Sequence, residues 1–300
     1  MARDKPNISG NIPAVVTPFD EAGRVDFDAF AHLVEWHLSR GVDGICVAGD
    51  NGESWSLSVD ERRKLAEAAS RVIDGLVPLV VGATATSNQE SARHAVMAAE
   101  IGADAILLMP QTYVLKASQS ELVARFALVA EAADIPIIFY NSPRRAGIDI
   151  SMEQLAAVCD AAPVVGIKES SRDFFHTTHL LERFGEKIAV LMGPCHYILP
   201  GIALGAAGFI ATGPELLPAE SMRRVIPAGQ ERPSDESRKL HYQLTGIYEA
   251  LMSLGTWPAS LKAALELVGQ PAGVPREPIL PLDAEATARL RSTLEDLGVL

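Results

Sequence analysis

Five helix starts recur at a near-constant spacing along the first half of the chain. They fall near residues 26, 58, 87, 118 and 151, so successive starts are 32, 29, 31 and 33 residues apart. Four of them carry a capping box, a Ser followed three residues later by Glu or Gln, which marks a helix N-terminus. A short apolar run typical of a buried strand precedes each helix. Continued along the chain, the pattern predicts eight strands, at residues 12–19, 43–49, 76–83, 104–109, 135–140, 164–168, 187–192 and 205–211.

Eight strand–helix units of one period indicate a parallel sheet, and they favour a closed (β/α)8 TIM barrel over an open doubly wound sheet. A doubly wound nucleotide-binding sheet would place a glycine-rich loop after its first strand, whereas residues 17–20 read Thr-Pro-Phe-Asp. The pattern changes after residue 218. We therefore predict a barrel over residues 1–218 and a C-terminal helical extension over residues 219–300 that packs on it. Its helices are expected near residues 240–254, 258–268 and 283–297.

Charge and cysteine content narrow the partners and the compartment. The chain has 300 residues, 48% of them hydrophobic, and its formal net charge is -12, which argues against nucleic acid or an anionic membrane as a partner. The three cysteines lie far apart with no metal-ligand spacing, so reduced thiols and a cytoplasmic location are expected. Residues 1–10 contain no apolar signal region, and no run reaches membrane-spanning length. No metal is expected, because no paired Cys, His-x-His or carboxylate cluster follows a strand.

A lysine ends the sixth predicted strand. Strict alternation along residues 164–168 would place Val164, Gly166 and Lys168 on one face, and Val165 and Ile167 on the other. Burial lowers the pKa of an ammonium group and favours the neutral amine, which is the form that attacks a carbonyl carbon. The alternative is a lysine just past the strand that extends to water.

A tyrosine ends the fifth predicted strand. Because active sites of barrels lie at the carboxyl ends of the strands, the hydroxyl of Tyr140 can point into the same mouth as Lys168. A phenol beside an amine that condenses with a carbonyl can move protons while the adduct forms and while a carbon–carbon bond is made or broken.

Three motifs at strand ends carry a resemblance to a known family. In this order and at these positions, the sequence is similar to the dihydrodipicolinate synthase / N-acetylneuraminate lyase family from about residue 12 to the C-terminus; the motifs are Gly49-x-x-Gly52-Glu53, Tyr140-Asn141-x-Pro143 and Gly166-Ile167-Lys168-Glu169. The resemblance implies a (β/α)8 class I aldolase or lyase, usually a homotetramer, that forms a Schiff base with pyruvate or a related 2-keto acid and uses no cofactor.

The resemblance also assigns roles to individual residues. Lys168 becomes the Schiff-base lysine and Tyr140 the proton-handling phenol. Backbone amides around Asp50 and Asn51 form the site for the keto-acid carboxylate, and Ile210 in the eighth strand forms a wall of the pocket.

The first motif departs from the family pattern. The family has Thr-Thr or Ser-Thr between its glycines, and this chain has Asp50 and Asn51. The Asn51 amide can still donate to a carboxylate, whereas an ionised Asp50 only accepts and would repel one. Our hypothesis is that Asp50 accepts a hydrogen bond from Tyr140 or acts as a general base. The alternative is that Asp50 only caps the loop.

Three further positions bear on the second substrate. Thr112 stands where the family's synthases place a second tyrosine that reaches a neighbouring subunit, and Tyr113 follows one residue later. Arg145 matches an arginine that binds the carboxylate of the aldehyde partner in those synthases, although it could instead belong to a solvated loop face. His196 is a candidate specificity residue or acid/base group, and the alternative is a polar helix cap.

The sequence thus predicts a Schiff-base-forming lyase or aldolase that acts on pyruvate or another 2-keto acid, with an acidic second substrate or product. One alternative is the dihydrodipicolinate synthase reaction, in which pyruvate condenses with aspartate semialdehyde. Arg145 favours this alternative, and Asp50, Asn51 and Thr112 disfavour it. A second alternative is a 2-keto-acid dehydratase or deaminase with the same Schiff base, for which Asp50 would be an extra base. A third is a non-catalytic protein that only binds a keto acid.

Overall fold

An eight-stranded parallel sheet forms the centre of the computed structural model, which describes residues 8–114, 116–218, 221–222 and 233–300. The strands are β1 (Gly10–Asn11), β2 (Ile45–Val47), β3 (Leu79–Gly82), β4 (Ala105–Leu108), β5 (Ile137–Asn141), β6 (Val164–Glu169), β7 (Ala189–Met192) and β8 (Gly208–Phe209). Each strand from β2 to β8 pairs in parallel with its neighbour in sequence, and β8 pairs with β1. The predicted (β/α)8 barrel is confirmed.

The first strand lies earlier than predicted and is shorter. It covers Gly10–Asn11, just before the predicted residues 12–19, which form no regular strand because Pro13 and Pro18 have no N–H to donate to a neighbouring strand. The barrel still closes between this segment and β2. Ala14 bridges to Cys46, whose N–H donates to the Pro13 carbonyl at 2.9 Å.

Helices follow the strands as the capping boxes predict. Ser58, Ser118 and Ser151 each form the complete reciprocal box, and Ser87 accepts a hydrogen bond from the N–H of Glu90. The helices of the barrel are α1 (Phe27–Ser39), α2 (Val59–Ile73), α3 (Asn88–Ile101), α4 (Gln119–Ala132), α5 (Pro143–Ala146), α6 (Met152–Ala161), α7 (Phe174–Phe184) and α8 (Ile198–Ala203). Short 3₁₀ turns lie at Ser54–Ser56, Cys195–Tyr197 and Pro214–Leu216.

A bulge in β6 corrects the predicted alternation. The register shifts between Ile137 and Ile138 of β5, which pair with Val164 and Gly166, so Val165 is the extra residue. Val164 therefore packs in the outer core between strands and helices, and Val165 packs against the cluster inside the barrel.

Gly166 gives room to the neighbouring strand. A Cβ at Gly166 would lie 2.9 Å from the Ala189 carbonyl oxygen of β7. A glycine here therefore permits the close approach of β6 and β7, in which Lys168 pairs with Leu191.

Three helices form the described part of the C-terminal region, at Asp235–Ser253, Ala259–Leu267 and Ala284–Asp296. The helices expected near 240–254, 258–268 and 283–297 are thus present, while residues 219–220 and 223–232 lie outside the described ones. The predicted division of the chain at residue 218 stays a prediction. So does the lack of a signal region, because residues 1–7 also lie outside. Of the helices that the structure describes, none has the length and apolar character needed to cross a bilayer.

Candidate active site

Lys168 and Tyr140 lie side by side at the carboxyl ends of β6 and β5. They are register partners in the sheet, and the Lys168 Nζ lies 4.4 Å from the centroid of the Tyr140 ring. Each side chain is only 5% exposed. Both line a cavity of about 380 Å³ at the end of the barrel where such folds place their catalytic groups.

Burial sets the protonation of both groups. It lowers the pKa of Lys168, against the opposing effects of Cys46 and the Asp50 carboxylate, so the reactive neutral amine is more populated than in a solvated lysine. Burial and the charge of Asp50 raise the pKa of Tyr140, against hydrogen bonding by Ser142. The phenol therefore keeps its proton at neutral pH and can donate it.

A side-chain hydrogen bond joins the ends of β5 and β6, next to Tyr140 and Lys168. Asn141 follows Tyr140, Glu169 follows Lys168, and the Asn141 amide donates to the Glu169 carboxylate at 2.8 Å. Glu169 is fully buried and also accepts a hydrogen bond from the Ser171 N–H at 2.6 Å. These bonds restrain the position of the amine relative to the phenol.

The turn after β2 presents backbone donors beside the cavity. Both hydrogens of the Asn51 side-chain amide are used within the protein, on the Ala14 carbonyl at 3.1 Å and the Thr212 hydroxyl at 2.9 Å. Within the described part of the chain, the backbone N–H groups of Asp50, Asn51 and Gly52 donate to no protein acceptor. Any donation to a substrate carboxylate from this turn thus falls to the backbone rather than to the Asn51 side chain.

A buried ion pair supports the same turn from the C-terminal region. Glu53 has a left-handed backbone, with φ of 52°, and its carboxylate lies 2.6 Å from the Lys262 Nζ. Lys262 also donates to the carbonyls of Thr17 and Val274, each at 2.7 Å, and the Glu53 carboxylate accepts from the Arg276 N–H. Burial lowers the pKa of Lys262 to about 8, against the effect of Glu53. The motif glutamate thus anchors the turn.

Asp50 and Arg145 pair with each other across the cavity. The Arg145 Nη2 and Nε lie 3.1 Å and 3.2 Å from the same oxygen, Asp50 Oδ2. Our hypothesis was that Asp50 accepts a hydrogen bond from Tyr140 or acts as a general base. In the described residues, the Asp50 carboxylate pairs with Arg145. The arginine expected to bind a substrate carboxylate therefore already has an anionic partner.

The remaining predicted residues divide between the cavity and its surroundings. Ile210 is buried and lines the cavity with Lys168, as expected from the resemblance. Thr112 lines a neighbouring cavity of about 300 Å³ instead, and Tyr113 is 92% exposed. The ring of His196 packs near that of Tyr248, with 5.6 Å between the ring centroids, and His196 is not among the residues that line this cavity.

Several residues of the cavity were not identified from the sequence. Arg172 lies in the loop after β6, and Tyr248 arrives from the helix Asp235–Ser253. The sequence does contain a signal for Arg172, since it is a cation four residues after Lys168, in the loop that follows β6. No local sequence pattern predicts that Tyr248 lies at the cavity, because its position depends on how the helix Asp235–Ser253 packs against the barrel. Other lining residues of this kind are Ser142, Ser170, Met252, Thr256 and Trp257.

The cavity has the opposite charge to the protein as a whole. Its charged lining residues are Lys168, Arg144, Arg145 and Arg172, against one acid, Asp50. The chain has a formal net charge of -12. A basic cavity in an acidic protein attracts anionic ligands. Among the residues that the structure describes, no group of three or more His, Cys, Asp or Glu side chains could hold a metal ion.

Fold and cavity together define a (β/α)8-barrel enzyme with a buried amine at the catalytic end of its strands. Comparisons with known proteins identify its family. The model of the Dihydrodipicolinate synthetase family matches residues 7–297. The 4-hydroxy-tetrahydrodipicolinate synthase of Pelobacter propionicus is 33% identical over 291 residues, which cover 97% of this chain and 99% of the relative. The enzyme of that name from Nitratidesulfovibrio vulgaris is 35% identical over 295 residues, covering 97% and 99%.

A solved structure gives the same result. The crystal structure of dihydrodipicolinate synthase from Aquifex aeolicus superposes with a TM-score of 0.89 at 30% identity, and the match covers 97% of this chain and 99% of that one. The chain belongs to the Dihydrodipicolinate synthetase family, and the enzyme is a lyase.

Proposed function

We propose that Lys168 forms a Schiff base with pyruvate or another 2-keto acid, and that the enzyme joins this donor to, or releases it from, a second substrate that carries an acidic group. The observation that carries the proposal is the pair of Lys168 and Tyr140, buried together in a basic cavity with 4.4 Å between amine and ring.

Each step of the reaction has a group available for it. The neutral amine of Lys168 attacks the C2 carbonyl carbon of the keto acid. The former carbonyl oxygen takes one proton from the attacking nitrogen and a second from Tyr140, and it leaves as water, so that nitrogen and C2 form an iminium ion. Tyr140 recovers a proton later in the reaction. The resulting iminium ion withdraws electrons from C3, so C3 loses a proton and the enamine attacks an aldehyde carbon. Water then hydrolyses the Schiff base and releases the product. The iminium ion is the electron sink, so the proposed reaction needs no metal and no cofactor.

Two sets of donors suit the anionic groups of the substrates. The backbone amides of Asp50, Asn51 and Gly52 have no protein acceptor in the described chain and suit the keto-acid carboxylate. Arg144 and Arg145 lie at the same cavity, where they suit an acidic partner.

A second candidate is the specific condensation of pyruvate with aspartate semialdehyde. The two relatives described above are 4-hydroxy-tetrahydrodipicolinate synthases, which favours this reaction. The pairing of Arg145 with Asp50 distinguishes this cavity from one with a free arginine at that position. A dehydratase or deaminase of the same family is the remaining alternative, with Asp50 as the additional base. Steady-state assays of pyruvate with aspartate semialdehyde, and of water or ammonia release from longer keto acids, separate these reactions.

We also propose a homotetramer in the cytoplasm. Large apolar side chains are exposed on the loops near the neighbouring cavity, with Trp55 at 47%, Val114 at 49% and Tyr113 at 92%. A second copy of the chain would cover such a surface. Sedimentation at micromolar concentration tests the assembly: a single species of four chains is expected, and a monomer would refute it.

Borohydride reduction with pyruvate tests the reaction class. We expect the intact mass to rise by one reduced pyruvyl group per chain, with no gain in Lys168→Ala. A wild-type protein that gains no mass with pyruvate or with longer 2-keto acids would refute the Schiff-base reaction and, with no turnover of any keto acid, would leave a binding protein.

A further inference from the structure

Arg172 combines an unfavourable backbone with a cavity position. Its φ is 64°, in the left-handed region that residues other than Gly, Asn and Asp seldom adopt. Glycine would take this conformation without a steric penalty. The Arg172 side chain lines the same cavity as Lys168, which lies four residues earlier near the end of β6.

The C-terminal helix holds the guanidinium of Arg172 in place. The Nη2 donates to the Tyr248 hydroxyl at 2.6 Å, and the guanidinium carbon lies 5.4 Å from the centroid of that ring. The hydroxyl and ring orient the cation without neutralising it. Arg172 is thus a positioned charge and not a freely rotating surface arginine.

The same guanidinium has donor capacity left over. No carboxylate of the described residues lies within 4.0 Å of it, and its Nε–H is buried without a hydrogen-bond partner there. The adjacent carboxylate, that of Asp173, instead accepts from the N–H groups of Phe175 and His176 as the cap of α7. The bond to Tyr248 uses one hydrogen of Nη2, and no other acceptor of the described residues takes the remaining Nη hydrogens, which can therefore donate to a ligand.

The other arginines of the cavity are less suited to this task. Arg145 is paired with Asp50 at 3.1 Å, and Arg144 is exposed and makes no ion pair within the described residues. Arg172 is therefore the cation that is both held in position and unneutralised.

We propose that Arg172, held by Tyr248, binds a second carboxylate that lies several carbon atoms beyond the Schiff-base carbon of the substrate. This inference rests on the proposed function and specifies its substrate class. The substrate or aldol product is a 2-keto acid with a distal carboxylate, and Arg172 is the residue that selects it over a neutral chain of equal length. The planar fork of an arginine suits a carboxylate, which can accept two parallel hydrogen bonds.

Matched keto acids test the proposal. The probes are 2-oxoglutarate, 2-oxoadipate and 2-oxopimelate, each compared with the monocarboxylic 2-keto acid of the same chain length. Calorimetric titration gives the Kd for each member of a pair, and borohydride trapping gives the extent of adduct formation. Arg172→Gly removes the cation and relieves the left-handed conformation, so the variant is expected to fold. Arg172→Lys keeps the charge but loses the planar fork.

We expect wild-type protein to prefer at least one dicarboxylic probe over its monocarboxylic partner. Arg172→Gly should weaken binding of that dicarboxylic probe by about 10- to 100-fold, with the Kd of the monocarboxylic partner unchanged. Arg172→Lys should recover part of the loss. Equal loss for both members of every pair, or no preference in the wild type, would overturn the role of Arg172. The proposed function can fail independently of this inference. If no adduct forms at Lys168 but the calorimetric preference persists, the proposed function fails and the role of Arg172 in binding stands.

Discussion

Replacing Asp50 by Asn separates two roles for this carboxylate. The structure pairs Asp50 with Arg145, and the sequence alone allowed a general base. If Asp50 only pairs with Arg145, the substitution frees the Arg145 guanidinium for substrate and lowers the KM. If Asp50 is a general base, the substitution removes a reacting group and lowers kcat by a much larger factor.

The geometry of the pair limits what the substitution can release. Both contacts of Arg145, at 3.1 Å and 3.2 Å, converge on one oxygen of Asp50, so the pair lacks the stronger two-oxygen fork. The two side chains are 41% and 15% exposed. A partly solvated pair of this kind contributes about 0.2–1 kcal/mol. Freeing Arg145 should therefore lower the KM for a carboxylate-bearing aldehyde by about 1.5- to 5-fold.

The substitution should also move the pH profile. Burial lowers the pKa of Lys168, and the negative charge of Asp50 opposes this effect. Without that charge the pKa of Lys168 falls further, so the neutral amine persists at lower pH. The acid limb of the rate of adduct formation should shift to lower pH in Asp50→Asn.

The assay is the initial rate with saturating pyruvate and varied aspartate semialdehyde, or another aldehyde acid that supports turnover. Asp20→Asn is the matched control, because it removes the same charge from a surface pair with Arg24, at 2.8 Å, away from the cavity. A fall in kcat of about 10²–10⁴ in Asp50→Asn, with unchanged KM, would refute the pairing role and restore the general base.

Three further substitutions test other parts of the site. Tyr140→Phe should slow formation of the pyruvate adduct by about 10²–10⁴-fold while pyruvate still binds; rapid quenching with borohydride measures this, and an unchanged rate would exclude the proton shuttle. Lys262→Met leaves the buried Glu53 without its cation and should lower the free energy of unfolding in urea by about 3–5 kcal/mol, whereas the exposed control Lys64→Met should change it by less than about 0.5 kcal/mol. His196→Asn should leave kcat/KM nearly unchanged, because His196 does not line the cavity that contains Lys168; a large loss would show that His196 takes part in binding or in the reaction.

The barrel could be predicted because its signals are local. The Ser caps of the helices and the apolar runs before them lie within a few residues of the elements they define. The same holds for Lys168 and Tyr140, since the end of a predicted strand already places a side chain at the mouth of a barrel. The alternation along β6 could not be predicted, because the bulge at Val165 depends on the register with β5.

The contacts that distinguish this cavity connect distant parts of the chain. Asp50 and Arg145 are 95 residues apart, and Arg172 and Tyr248 are 76 residues apart. Each side chain is an ordinary polar residue in its own segment. These contacts form only where the strand ends and the helix Asp235–Ser253 pack together, so the sequence predicted a reacting lysine and left the selectivity of the cavity open.

The position of the reduced pyruvate adduct tests the central claim most directly. Lys168 and Lys262 are both buried, and burial lowers the pKa of both, so general amine reactivity alone does not distinguish them. Peptide mapping after borohydride reduction with pyruvate should find the adduct at Lys168. Lys262 should be unmodified, because its Nζ lies 2.6 Å from the Glu53 carboxylate. An adduct at Lys262 or on exposed lysines such as Lys64, with Lys168 unmodified, would contradict the assignment of the reacting amine.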